Sequence, residues 1–172
     1  ATPEVLAKIK ALKEKHNALV IFDEIQCGMG RTGTLLYSDQ LDLKADVVTL
    51  AKALGGGVPI GACMTKDRAN EVLTPGDHGS TYGGNPFVCS VAYTVLGELI
   101  QDALLENVRN MGQYAANELL KLKEKHSELK GVRGKGLLLG FQLSESLNAG
   151  DFVKKALEHK LLLVAAGGNG VR

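Results

Sequence analysis

A single lysine, Lys52, stands in "DVVTLAKALGGGVPIG" between an apolar run and three consecutive glycines. Apolar flanks desolvate an amine and lower its pKa, which makes a lysine a nucleophile toward carbonyl carbons. The glycines leave room for a flat ring beside it. A second apolar run, "ALVIFDE", ends in Asp23 and Glu24. A carboxylate in that position pairs with a protonated ring nitrogen and keeps such a ring an electron sink. In "GDHGSTYGGNP", Ser80 and Thr81 sit among glycines, an arrangement of hydroxyls and open backbone that suits a phosphate. Farther on, "GVRGKG" holds Arg133 among turn-forming glycines, where by itself it reads as a solvated turn residue. Taken singly, each is an ordinary polar residue at a strand end or in a turn.

The elements that must position these residues follow from local pattern. "TPEVLAKIKALKEKH" predicts a helix with Thr2 as cap, Pro3 at its first position, and Val5, Ile9 and Leu12 on one face. "ALVIFDE" and "ADVVTLAK" read as buried parallel strands, and "PIGACMT" as a third strand. In a parallel α/β sheet, ligands bind beyond the carboxyl ends of the strands, so Asp23 and Lys52 face one crevice. A helix from Pro86 to Asp102 carries Val88, Val91, Ala92, Val95 and Leu99 on its apolar face. The next helix carries Val108, Met111, Ala115, Leu119 and Leu122. "GVRGKGLLLGFQL" reads as a turn into a strand, "AGDFVKKALEHK" as a helix starting near Asp151, and "LLLVAA" as a strand. A domain boundary falls within residues 100–107.

Composition narrows the classes. At 172 residues, 45% hydrophobic and 23% charged, with a formal net charge of +1, the chain has no bulk attraction to nucleic acid or anionic membrane. Its apolar stretches are far shorter than the roughly 20 residues that cross a bilayer, and its first residues show no secretory pattern. Cys27, Cys63 and Cys89 are odd in number and widely spaced, which suits a reducing cytoplasm, and no metal-ligand spacing is present. "GMGRTG" does satisfy G-x-G-x-x-G through Gly28, Gly30 and Gly33. A dinucleotide site is nonetheless opposed by Asp23 and Glu24, which put anions where a pyrophosphate would lie, and by the next strand, which ends in a lysine where a ribose needs an acid.

Four stretches in order, "IFDEIQCGMGRTG", "LAKALGGGVPIGA", "HGSTYGGNP" and "VRGKGLLLG", resemble the successive signatures of class III, fold-type I pyridoxal-phosphate aminotransferases. The resemblance runs across nearly all of the chain. It implies pyridoxal 5'-phosphate as cofactor, Lys52 as the lysine that carries it and as the catalytic base, and Asp23 as the partner of its pyridine nitrogen. Gln26 is implied to lie near the phenolic oxygen. Thr81, with Ser80, is implied at the phosphate, Thr81 serving the cofactor of the other subunit of a homodimer with a shared active site. Arg133 is implied to grip the substrate α-carboxylate. Glu24, His78 and Cys27 read as structural.

The resemblance also implies an architecture: residues 1–103 as the second half of the cofactor-binding large domain, a mostly parallel sheet with helices, and residues 104–172 as part of the small carboxy-terminal α/β domain. Members of the family are considerably longer, so the loop that supplies most phosphate donors and the aromatic that stacks on the ring are expected outside these residues. The motifs most resemble members acting on N-acetylornithine with 2-oxoglutarate, the product being glutamate. Members acting on ornithine, succinylornithine or 4-aminobutyrate are the alternatives, as is a catalytically inactive piece of such an enzyme. Small-molecule substrates, a cytoplasmic location, and no nucleic-acid or membrane partner complete the expectation.

Overall fold

The computed structural model describes residues 2–172 and divides into two compact units, Ala1–Leu105 and Glu106–Arg172. In the first, helix α1 (Pro3–His16) starts at Pro3, whose fixed φ and missing N–H suit a first turn. Thr2 occupies the cap position in extended backbone, but its side chain makes no capping hydrogen bond. The stripe expected at Val5, Ile9 and Leu12 does not form a buried face: α1 buries none of its residues, and Val5 and Leu12 are exposed. The helix is tied down by an ion pair instead, Lys13 Nζ lying 2.6 Å from Asp46 Oδ2, which also accepts from Val20 N at 2.8 Å.

Strands β1 (Ile21–Asp23), β2 (Val47–Leu50) and β3 (Ala62–Thr65) form a sheet in that order. β1 and β2 are parallel, with Phe22 opposite Val48 and Asp23 opposite Thr49. The expectation of a mostly parallel sheet fails at β3, which is antiparallel to β2. The cause is the connection: residues 51–61 contain only a 3₁₀ turn (Lys52–Gly55), whereas a parallel return needs a crossover of a dozen or more residues, usually a helix. That turn packs on α2 (Pro86–Leu99). Met29, Leu50, Leu54 and Ala92 make the buried core there, with Val48, Ile60, Val95 and Leu99 against them. Gly56 has φ +56°, and a Cβ on it would stand 3.0 Å from Val95 Cγ2, so the close approach of turn and helix requires glycine. α2 begins as its pattern predicts, with Val88 and Ala92 buried, and Asn85 caps it by accepting from Val88 N at 3.2 Å.

Helix α3 (Asp102–Lys125) runs from the first unit into the second. Its Val108 is buried, but Met111 and Leu122 are exposed. The second unit holds a four-stranded antiparallel sheet, β4 (Leu129–Lys135), β5 (Leu138–Leu143), β6 (Ala165–Ala166) and β7 (Gly170–Val171), in the order β4-β5-β7-β6. The segment read as a turn into a strand is thus a hairpin with two strands, closed by Gly136 and Leu137. "LLLVAA" yields only the two residues of β6, and Leu162 is 84% exposed. Helix α4 (Ala149–Glu158) starts two residues ahead of Asp151 because Asn148 Oδ1 accepts from Gly150 N and Asp151 N, at 2.9 and 3.1 Å. Phe141, Leu143, Ala149 and Val171 form its core, with Phe152 edge-on to Phe141 at 5.7 Å. Among the described residues no single helix is long and apolar enough to cross a membrane.

Candidate active site

The parallel register of β1 and β2 delivers their carboxyl ends to one edge of the sheet, so Asp23 and, three residues past its partner Thr49, Lys52 leave that edge together. Asp23 is exposed and its Oδ1 accepts from Ile25 N at 3.0 Å, which fixes one oxygen of the carboxylate. Lys52 is also exposed. The apolar flanks expected to desolvate it serve the core instead: Leu50 and Leu54 turn inward, and the amine between them points out. Lys52 has φ +47°, a left-handed backbone that costs a side-chain-bearing residue roughly 1–2 kcal/mol. Such strain concentrates where a side chain must be aimed.

Behind this edge lies Glu24, 2% exposed. Its Oε2 accepts from Tyr37 N at 2.7 Å and its Oε1 from Ser38 N at 2.6 Å, so one carboxylate closes the long connection between β1 and β2. Gly28 donates its N–H to the Glu24 carbonyl at 2.9 Å, and a Cβ on Gly28 would stand 2.9 Å from that of Glu24. Cys27 Sγ sits 3.7 Å from Glu24 Oε2. Burial, then the Glu24 and Asp23 charges, push the Cys27 thiol above its ordinary pKa, so it packs as a neutral group. Gln26 is exposed in the turn that follows Asp23.

Ser80 and Thr81 are exposed in the loop ahead of α2. Ser80 Oγ accepts from Gly83 N at 3.1 Å, and Asn85 Nδ2 donates to the Tyr82 carbonyl at 2.7 Å. Ser80 lines a groove of about 890 Å³ with His78, Tyr82, Ile60 and Gly61. In the second unit Arg133 lies on β4, not in a turn, opposite Gly140 of β5. A Cβ built on Gly170 would stand 3.5 Å from Arg133 Nη2, so the guanidinium extends across β5 toward β7. One polar residue escaped the sequence reading. Thr49 Oγ1 is buried without a hydrogen-bond partner among the described residues. Strand alternation was the available signal, since Val48 and Leu50 face the core and Thr49 therefore faces the other way.

The profile of the class-III aminotransferase family matches residues 1–172, and the chain belongs to that family. It is 45% identical over 173 aligned residues to the acetylornithine aminotransferase of Clostridium acetobutylicum, covering all of this chain and 44% of the relative. It is 42% identical to the succinylornithine transaminase of Yersinia pseudotuberculosis, again over all of this chain and 42% of the relative. Among solved structures, the ornithine aminotransferase of Toxoplasma gondii superimposes with a TM-score of 0.90 at 36% identity, over 99% of this chain and 41% of that one; that enzyme was solved with pyridoxal phosphate partly occupying its active site. The chain thus spans less than half the length of these relatives.

The class-III family uses pyridoxal phosphate, and the residues present fit that group. An amine and a carboxylate share one sheet edge, the carboxylate has a second oxygen that accepts no hydrogen bond among the described residues, and a buried hydroxyl without a partner is its register neighbour. This is a donor set for a ring that carries both an electrophilic carbon and a cationic nitrogen.

Proposed function

We propose that the chain supplies the lysine, ring-nitrogen and carboxylate-binding residues of a pyridoxal-phosphate transamination in which N-acetylornithine gives its amino group to 2-oxoglutarate, forming glutamate, a step of arginine biosynthesis. The observation that carries this reading is the parallel β1–β2 register, which brings Asp23 and Lys52 off the same edge. The cofactor, when bound, supplies an aldehyde carbon that condenses with amines and a ring that takes up an electron pair. Lys52 is the residue that would hold the cofactor through that carbon. With the donor's amine in its place, Lys52 Nζ would take the proton from the donor carbon that bears nitrogen and pass it to the cofactor's former aldehyde carbon in the same half-reaction, and the second half-reaction with 2-oxoglutarate would run that transfer in reverse. Asp23 keeps the pyridine nitrogen protonated through a charge-assisted hydrogen bond. Gln26 lies at the phenolic oxygen. Thr81 and Ser80 donate to the phosphate, Thr81 to the cofactor of a second copy in a homodimer. Arg133 binds the carboxylate common to donor and acceptor.

In this reading residues 1–103 belong to the cofactor-binding domain and 104–172 to the small domain, and the protein works in the cytoplasm. Because the relatives are more than twice as long, the 172 residues alone are expected to turn over poorly even with the cofactor added. A lysine not held at the reacting carbon forfeits proximity, which contributes up to roughly 7–11 kcal/mol. Borohydride reduction of the full-length protein that contains this chain, in the presence of pyridoxal phosphate and followed by peptide mapping, tests the assignment. The label is expected on Lys52 alone, and a label on Lys66 or Lys135 would overturn it. Glutamate formation from N-acetylornithine, compared with ornithine, succinylornithine and 4-aminobutyrate, then ranks the donors.

A further inference from the structure

The Thr49 hydroxyl is the anomaly of the first unit. Its Oγ1 is out of reach of water and has no partner, although valine would fill the same volume without an unsatisfied polar atom. Thr49 is the register partner of Asp23, and partners in a parallel pair share a sheet face. Val48 and Leu50, its neighbours in sequence, pack into the opposite side. Asp23 has given one oxygen, Oδ1, to Ile25 N and has the other open. Three residues beyond Thr49 comes Lys52, so hydroxyl, carboxylate and amine issue from neighbouring positions of two strands.

We infer that Thr49 is a positioning residue: with the site filled, its hydroxyl donates to the open carboxylate oxygen of Asp23, fixing the rotamer of that side chain and favouring its ionised form. A hydroxyl in this role gains its hydrogen bond as Asp23 is drawn to the ring nitrogen. The inference rests on the role proposed for Asp23. It predicts opposite signs for stability and function, which an ordinary packing role does not.

Two variants test it, Thr49→Val and Thr49→Ser, in the full-length protein that contains this chain, with and without added pyridoxal 5'-phosphate. Without the cofactor, Thr49→Val should raise the folding equilibrium constant, by about tenfold for one buried unsatisfied hydroxyl removed. With it, Thr49→Val should move the pH at which the bound cofactor's absorbance changes, because the Asp23 carboxylate has lost a donor, whereas Thr49→Ser should titrate as the wild type does. A Thr49→Val protein no more stable than wild type, or one that titrates identically with cofactor bound, overturns the inference alone. A wild-type protein that takes up no pyridoxal phosphate overturns the functional reading, and this inference with it.

Discussion

The two units solve one problem with different chemistry. Each must close a connection against exposed backbone amides. Around β1 and β2 the first uses carboxylates, Glu24 on Tyr37 N and Ser38 N and Asp46 on Val20 N, and turns to the neutral Ser80 and Asn85 only ahead of α2. The second uses neutral amides: Asn148 on Gly150 N and Asp151 N, and Asn169, which accepts from Ala149 N at 2.8 Å and donates to the Ser144 and Leu147 carbonyls at 2.9 and 2.7 Å. Hydrogen bonds to ionised groups are the stronger kind, but they titrate. The anchors also differ in place: Glu24 follows Asp23 at the carboxyl end of β1, on the sheet edge that Lys52 leaves, whereas Asp46 stands at the amino end of β2, paired with Lys13.

The largest effect that sharpens this contrast is chemical. Lys52→Ala in the active protein should cut turnover by more than about 10⁴-fold, the upper end of what proton transfer alone contributes, since in the role proposed for it the same amine also carries the cofactor. Asp23→Ala should follow at about a hundredfold, because the ring nitrogen would lose the carboxylate proposed to keep it protonated, with Asp23→Glu milder. Near-normal kcat with cofactor bound in either alanine variant would break the assignment.

Glu24→Gln should cost the first unit about 2–3 kcal/mol, because one of two backbone amides then faces an NH₂ instead of an acceptor. Hydrogen exchange should quicken across 21–50 and stay unchanged across 129–143. Uniform quickening would show that the two closures are not independent. Arg133→Lys, in the second unit, should raise KM about tenfold for donor and 2-oxoglutarate together, for loss of a bidentate pair, and leave the resting absorbance as it was. An effect on one substrate only would move Arg133 to the side-chain pocket.

The smallest effect concerns acid. The Lys13 ammonium and then the Val20 N–H hold the Asp46 carboxyl below its usual range. A pKa lowered by folding adds stability that is complete above the unfolded value, about 3.9, and disappears as pH falls through the folded one. As pH falls below about 4, fluorescence or exchange should therefore report loosening in the first unit before the second. Asp46→Asn should lower stability at neutral pH by about 1–2 kcal/mol and flatten this dependence. An acid transition common to both units would erase the distinction.

What the sequence conveyed follows the same division. Helix α2 was legible because its apolar face repeats at helical spacing and is in fact buried at Val88 and Ala92. α1 carries a similar stripe and buries nothing, since periodicity reports only what a face is able to cover. Asp23 and Lys52 could be read as charges ending apolar strands. Thr49 could not be, because its interest lies in a missing partner, which only three-dimensional packing reveals. Arg133 was misplaced into a turn: its glycine neighbours are turn-formers, yet here they belong to the hairpin, where the pairing of β4 with β5 overrides local propensity.

Asn169 is followed by Gly170. An asparagine–glycine step is the kind most given to spontaneous deamidation, in which the glycine nitrogen attacks the side-chain carbonyl carbon and ammonia leaves. Here that side chain is engaged at both ends, its oxygen with Ala149 N and its nitrogen with the Ser144 and Leu147 carbonyls, while Gly170 is paired in the sheet with Gln142 and Ala166. Attack requires those bonds to break first. The network that seats α4 against the last strand is thus also a brake on chemical ageing, and the rate at which an aspartate appears at position 169 becomes a clock for how often this corner of the protein comes undone.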